Sequence, residues 1–112
     1  DVYKRQVLAA LDRAVDAAGA YHATEVGRDL HELHNLNAPL SLHYGGRDPL
    51  APMSEVKSIQ RELRKNPLAE ICVYRGAKHG YSIPGNPDYD AAAARASEAR
   101  VFAMLERSAN AR

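Results

Sequence analysis

Tyr44-Gly45-Gly46-Arg47-Asp48-Pro49-Leu50-Ala51-Pro52 and, farther on, Gly76-Ala77-Lys78-His79-Gly80-Tyr81 are the stretches on which the reading turns. The first follows the run Leu40-Ser-Leu-His-Tyr44, and the second follows Ala69-Glu-Ile-Cys-Val-Tyr74. Each run has the length and apolar content of a strand, and Ile71, Val73 and Tyr74 suit a pleated surface. Gly45-Gly46 and Gly76 then turn the chain. Between the runs, Val56, Ile59 and Leu63 recur at i, i+3 and i+7, a helical stripe, while Lys57, Arg61, Arg64 and Lys65 mostly face water. Strand, helix, strand predicts a parallel pair joined by a right-handed crossover. Asp48 and His79 then lie just past the carboxyl ends of neighbouring strands, where ligands gather in such sheets.

Working outward, Pro39 bars a helix ahead of the first run, and Asn66-Pro67 ends the helix between the runs. Asp90 caps a closing helix over about Ala91 to Arg107, where Ala94, Val101 and Leu105, with Phe102 beside them, form an apolar face. Upstream, Val15 to Tyr21 is a small-residue run that reads as a buried strand. Thr24 to Asn37 is polar and partly helical around Gly27 to Leu33, and Val7 to Arg13 reads as the tail of a helix. The pattern predicts an α/β domain with three layers, α/β/α, around a parallel sheet. Three strands leave a sheet edge exposed, so residues 7–112 are expected to be part of a larger sheet, or to self-associate through their edges. Asp1-Val-Tyr-Lys-Arg-Gln6 reads as a non-native leader, similar to translated sequencing-adapter DNA. A proteolytic or expression boundary is the alternative.

Composition excludes several classes. Lys plus Arg is 15 against 14 for Asp plus Glu, a net charge of +1, so nothing points to nucleic acid. No apolar run approaches the roughly 20 residues of a membrane helix. A single cysteine, Cys72, excludes an internal disulfide and suits a reducing, cytoplasmic compartment, with export of a longer parent left open.

A carboxylate and a histidine emerging from one rim can form the acid and base of a catalytic triad. The carboxylate fixes the imidazole tautomer and stabilises the imidazolium formed when the other nitrogen takes a proton. The bland alternative is that Asp48-Pro49 is a turn signature and His79 an incidental loop residue. Acid before base is the chain order of the α/β hydrolases. Tyr44-Gly-Gly-x-Asp48-x-x-x-Pro52 and Val73-Tyr74-x-Gly76-Ala77-x-His79-Gly80-Tyr81, with Val15-Asp-Ala-Ala, Ala20-Tyr21 and Tyr89-Asp-Ala-Ala-Ala-Ala, resemble the C-terminal half of the dienelactone hydrolase family. The resemblance implies the C-terminal part of an α/β hydrolase fold, with Asp48 as triad acid and His79 as base. It also implies a carboxylic ester or lactone as substrate (carboxymethylenebutenolidase-like) and no metal or organic cofactor. The family's nucleophile is a Cys, or in some branches a Ser, on a Gly-x-Cys-x-Gly or Gly-x-Ser-x-Gly elbow, and no such elbow occurs in these residues. Turnover is therefore expected of the intact parent and not of the 112-residue chain. The alternatives are another α/β-hydrolase esterase or peptidase, and a non-catalytic, self-associating module.

Tyr21 and His22 follow the first strand and, with Arg47 and Tyr81, are expected around the substrate pocket. Arg47 adjoins the acid and can steer a carboxylate-bearing substrate, or simply be a solvated turn residue. Cys72 and Ser41 lie inside strands and Ser82 has no elbow, so none reads as a nucleophile. His31 and His34 share a helical face without a third zinc ligand. His43 reads as packed or surface.

Overall fold

The computed structural model describes residues 17–21, 36, 38–64 and 66–110. The expected helices over Val7 to Arg13 and around Gly27 to Leu33 lie outside the described residues, as do His22, His31 and His34. The remainder alternates as the sequence pattern predicts: β1 is Ala18–Tyr21, β2 Leu40–Gly45, α1 Met53–Leu63, β3 Ala69–Tyr74 and α2 Ala91–Asn110. The strands form one parallel sheet in the order β1-β2-β3, with Ala18 beside Leu40 and Leu40 beside Ala69.

All six residues of β2 are buried, as befits a central strand covered on both faces. The pleat sends Leu40, Leu42 and Tyr44 to one side, where Val56, Ile59 and Leu63 of α1 meet them in the main core. Fully burying such a side chain contributes roughly 1.5–3 kcal/mol. Exposed ion pairs such as Arg100–Glu70, at 3.3 Å across the other face, contribute about 1 kcal/mol at most. The apolar contacts on the α1 side therefore hold the sheet.

α1 begins on the Pro52 carbonyl, which accepts from the N–H groups of Glu55 at 2.9 Å and Val56 at 3.1 Å. Past its end, the Asn66 side chain accepts from Leu68 N–H at 2.9 Å and turns the chain into β3. Asp90 caps α2 by accepting from Ala93 N–H at 3.1 Å.

The face α2 buries includes the expected Ala94 and brings Val101 onto the sheet, but differs at Phe102 and Leu105. Ala93, Ala94, Ser97 and Met104 are buried, whereas Phe102 is 66% and Leu105 41% exposed. The helix is rolled so that Ser97 and Met104 are buried while Phe102 and Leu105 face outward. Two contacts account for this. Val101 packs where Gly19 has no side chain, its methyls 3.1 and 3.2 Å from the place a Cβ would occupy. The Ser97 hydroxyl, which donates to the Ala94 carbonyl at 2.9 Å, sits beside the phenols of Tyr21 and Tyr81.

At the carboxyl edge the two loops are joined backbone to backbone. Gly46 N–H donates to the Tyr74 carbonyl at 2.9 Å, and Arg47 N–H to the Ala77 carbonyl at 2.8 Å. A Cβ on Gly45 would lie 2.4 Å from the Ala77 oxygen, closer than any real contact. Gly45→Ala is therefore expected to force the loops apart and to cost about 1–3 kcal/mol. Urea unfolding checks this, and an unchanged midpoint would show that the loops do not need the close approach.

Candidate active site

Asp48 sits in a turn that its own side chain closes. Its N–H donates to the Gly45 carbonyl at 3.3 Å, and its Oδ1 accepts from Leu50 N–H at 2.8 Å, a turn that Asp forms readily. That leaves Oδ2 facing the neighbouring loop, where His79 Nδ1 lies 2.7 Å away. The Asp48 side chain is fully buried and that of His79 is 34% exposed. A buried carboxylate against a partly exposed imidazole fixes the tautomer. With Asp48 ionised the proton resides on Nδ1, and Nε2 is the nitrogen suited to take a proton from a nucleophile. The chemistry such a pair can do is general base catalysis followed by general acid catalysis.

His79 is carried by a turn-rich segment. Gly76 and Gly80 both have positive φ, 81° and 82°, a backbone region that favours glycine. Gly80 reverses the chain directly after His79, and Tyr81 follows with its ring fully buried. An open groove of ≈ 600 Å³ runs between this segment and the start of α2, lined by Lys78, Tyr89, Asp90 and Arg95 among others. Its charges are mixed and select no sign of ligand.

The residues expected around a pocket are divided by the structure. Arg47 is exposed on the Asp48 loop. Tyr81, expected beside a pocket, is fully buried and touches Tyr74 at a ring separation of 5.4 Å. Tyr21 stacks on His43 at 5.2 Å, and burial pushes its phenol pKa up, while the Ser97 hydroxyl acts the other way. Leu50 (58% exposed) and Ile83 (45%) were not singled out from the sequence, yet they present apolar surface on the very loops that carry Asp48 and His79. Their signal was weak because a lone apolar loop residue is common.

A second histidine forms a contact that residue spacing alone did not reveal. His43 is buried in β2, with Nε2 2.7 Å from Ser41 Oγ and Nδ1 2.9 Å from the Tyr74 hydroxyl. This resembles a nucleophile and its base, but Ser41 and His43 have no exposed surface and the far nitrogen meets a phenol, not a carboxylate. Cys72 is half-buried in β3, its thiol 3.5 Å from Glu70 Oε1. Burial pushes its thiol pKa up more than Arg100 brings it down, the reverse of an activated cysteine. The Tyr44 hydroxyl is buried near Asp48 with no hydrogen-bond partner among the described residues, and burial, then Glu55 and Asp48, hold it neutral. Among the described residues, no three His, Cys, Asp or Glu side chains group as a metal site, and no helix is long and apolar enough to cross a membrane.

Comparison with known proteins agrees with this arrangement of strands. The model of the dienelactone hydrolase family matches residues 5–109. A protein named "Putative carboxymethylenebutenolidase" from Escherichia coli (strain K12) is 41% identical over 61 residues, 54% of this chain and 22% of that protein. Its namesake from Salmonella typhimurium is 39% identical over 62 residues, covering 54% of this chain and 23% of that protein. A crystal structure titled "Putative Dienelactone Hydrolase", from Klebsiella pneumoniae subsp. pneumoniae MGH 78578, superposes with a TM-score of 0.81 at 27% identity. That match covers 90% of this chain and 46% of the other. A thermophilic esterase from Thermogutta terrifontis shares the fold at a TM-score of 0.55 and 16% identity, over 82% of this chain and 43% of its own. The matches thus span less than half the length of each of these relatives. The sheet is that of an α/β hydrolase fold. With a family model that takes in nearly every residue from 5 to 109, this chain belongs to the dienelactone hydrolase family.

Proposed function

We propose that these residues serve a carboxylic ester or lactone hydrolase in which Asp48 is the triad acid and His79 the base. The observation that carries the reading is the 2.7 Å contact between a buried carboxylate and a partly exposed imidazole, on loops that leave adjacent parallel strands at the same edge. The names of the relatives favour a lactone or ester over a peptide. His79 Nε2 takes the proton of a Cys or Ser nucleophile as that atom attacks the carbonyl carbon. The resulting imidazolium, stabilised by Asp48, returns the proton to the leaving alkoxide, and an acyl-enzyme forms. Water then attacks the acyl group, its proton passing to the same nitrogen and on to the departing nucleophile. The nucleophile and oxyanion donors come from a part of the protein outside these 112 residues. The mechanism uses no metal or organic cofactor.

In the intact protein, Asp48→Ala is expected to lower kcat for an aryl ester or a lactone by roughly 10³–10⁴-fold while the fold persists, and His79→Ala at least as far. Turnover unchanged in either variant would remove that residue from the mechanism. The 112-residue chain by itself is expected to show no turnover above its His79→Ala variant.

Cys72 is expected to take no part. Because its thiol pKa is raised, its thiolate fraction at neutral pH is below that of a free cysteine and grows as pH rises. Alkylation by iodoacetamide should therefore be slower than for glutathione near pH 7.5 and accelerate toward pH 9. Fast alkylation at neutral pH, or loss of turnover in Cys72→Ala, would reopen Cys72 as the nucleophile.

A second reading, self-association, is favoured by β3, which is only half-buried along its whole length, and by the outward Phe102. Sedimentation over a hundredfold range of concentration decides it, since a species that stays monomeric throughout has no such contact.

A further inference from the structure

We propose that Tyr81 is the positioning residue of the site. Its buried ring, held between Tyr74 and α2, sets the segment carrying His79 at the height of Asp48. The inference rests on the reading of Asp48 and His79 as acid and base only for its catalytic consequence, since the positioning can be measured without turnover.

The segment from Gly76 to Asp90 contains neither helix nor strand. Successive turns shape it: Tyr81 N–H donates to Lys78, Ile83 to Gly80, Asn86 to Ile83 and Tyr89 to Asn86, all between 3.0 and 3.2 Å. Such bonds join residues three apart, so they curl the segment without fixing where it lies on the sheet. Among the described residues, two backbone bonds reach farther. Arg47 N–H to the Ala77 carbonyl ties the start of the segment, and Asp90 N–H to the Tyr81 carbonyl, at 2.9 Å, ties Tyr81 to the start of α2.

The Tyr81 side chain supplies a further tie. It is fully buried in a small cluster with Ala77 and Ala93, against Tyr21 and Tyr74. Its ring lies 5.4 Å from that of Tyr74 at 45°, and its phenol is beside Ser97. Gly80, at φ 82°, lets His79 face outward while Tyr81 turns inward. Asn86 closes on Gly80 so tightly that a Cβ there would lie 2.6 Å from its amide nitrogen. Tyr74 is itself held by His43 Nδ1, and His43 by Ser41. All of these lead back to β2, the strand whose end carries Asp48. The acid reaches β2 through Gly46 and Arg47 alone, and the base through Tyr81, Tyr74 and His43.

The test compares Tyr81→Met, which fills much of the volume without a ring, with Tyr81→Phe, which keeps the ring. In proton NMR of the 112-residue chain, the His79 Nδ1–H held by Asp48 should give a resonance downfield of the amides, identified by its absence from Asp48→Ala. The expected result is loss of that resonance in Tyr81→Met, with the amide pattern of β2 and β3 retained, and its return in Tyr81→Phe. In the intact protein, Tyr81→Met should lower kcat by roughly 10²-fold with little change in KM, as a misplaced base does. Tyr81→Phe should restore it. A resonance that survives in Tyr81→Met, or is missing from the unsubstituted chain, overturns the proposal. Collapse of the β2 and β3 amide pattern in Tyr81→Met also overturns it, by marking Tyr81 as a core residue alone. Absence of turnover in the unsubstituted intact protein would defeat the hydrolase reading and leave the NMR result to decide the positioning.

Discussion

The site depends on two loops lying in backbone contact, and that contact depends on the hydrogen in place of a side chain at Gly45. Gly46 and Arg47 donate to the carbonyls of Tyr74 and Ala77, so the Asp48 turn extends the β2–β3 pairing beyond the strands themselves. Once that extension exists, Asp48 needs only its own turn to bring Oδ2 against His79. The short side-chain contact follows from a longer run of main-chain bonds. The main-chain bonds are the cause, and the contact of Asp48 with His79 is their result.

The two faces of the sheet use different physics. Toward α1 the contacts are apolar and close, with Leu40, Leu42, Val56 and Ile59 all fully enclosed. Toward α2 the sheet presents Tyr21, His43, Tyr74 and Cys72, and the helix answers with Ser97 and Arg100. Buried polar groups are tolerable when they find partners, and Ser41, His43 and Tyr74 satisfy one another within hydrogen-bond distance. Such contacts are directional in a way that leucine packing is not. The directional face adjoins the segment that carries His79.

Much of this was legible in the sequence, for reasons that can be stated residue by residue. Ile71 and Val73 prefer a pleated surface, Val56, Ile59 and Leu63 mark a helical stripe, and Pro67 stops a helix, so the order of elements could be read directly. Asp48 and His79 stood out because each follows a glycine turn after a strand, and parallel pairing does the rest. The roll of α2 was not legible. Counting apolar residues favours Phe102 and Leu105, whereas the observed contact is decided by the absence of a side chain at Gly19 and by a serine hydroxyl. The burial of Tyr81 was not legible either: a phenol after such a histidine suggests a pocket wall, and only the three-dimensional course of Gly80 reveals that the ring turns inward. The contact of Ser41 with His43 is local in sequence, but its meaning comes from Tyr74, 31 residues away.

That same separation recurs between Asp48 and His79, also 31 residues apart. Closing a loop of that size costs roughly 3 kcal/mol of chain entropy, while a hydrogen bond to a charged group returns about 1.5–3 kcal/mol. The pair cannot close the loop by its own strength. Burial of α1 and registry of β2 with β3 close it, and the pair inherits the result. Asp48 and His79 therefore belong to one cooperative unit, β2 to β3 with the intervening helix, and have no existence as two separable loops. Moved to another scaffold they would need that whole unit to travel with them.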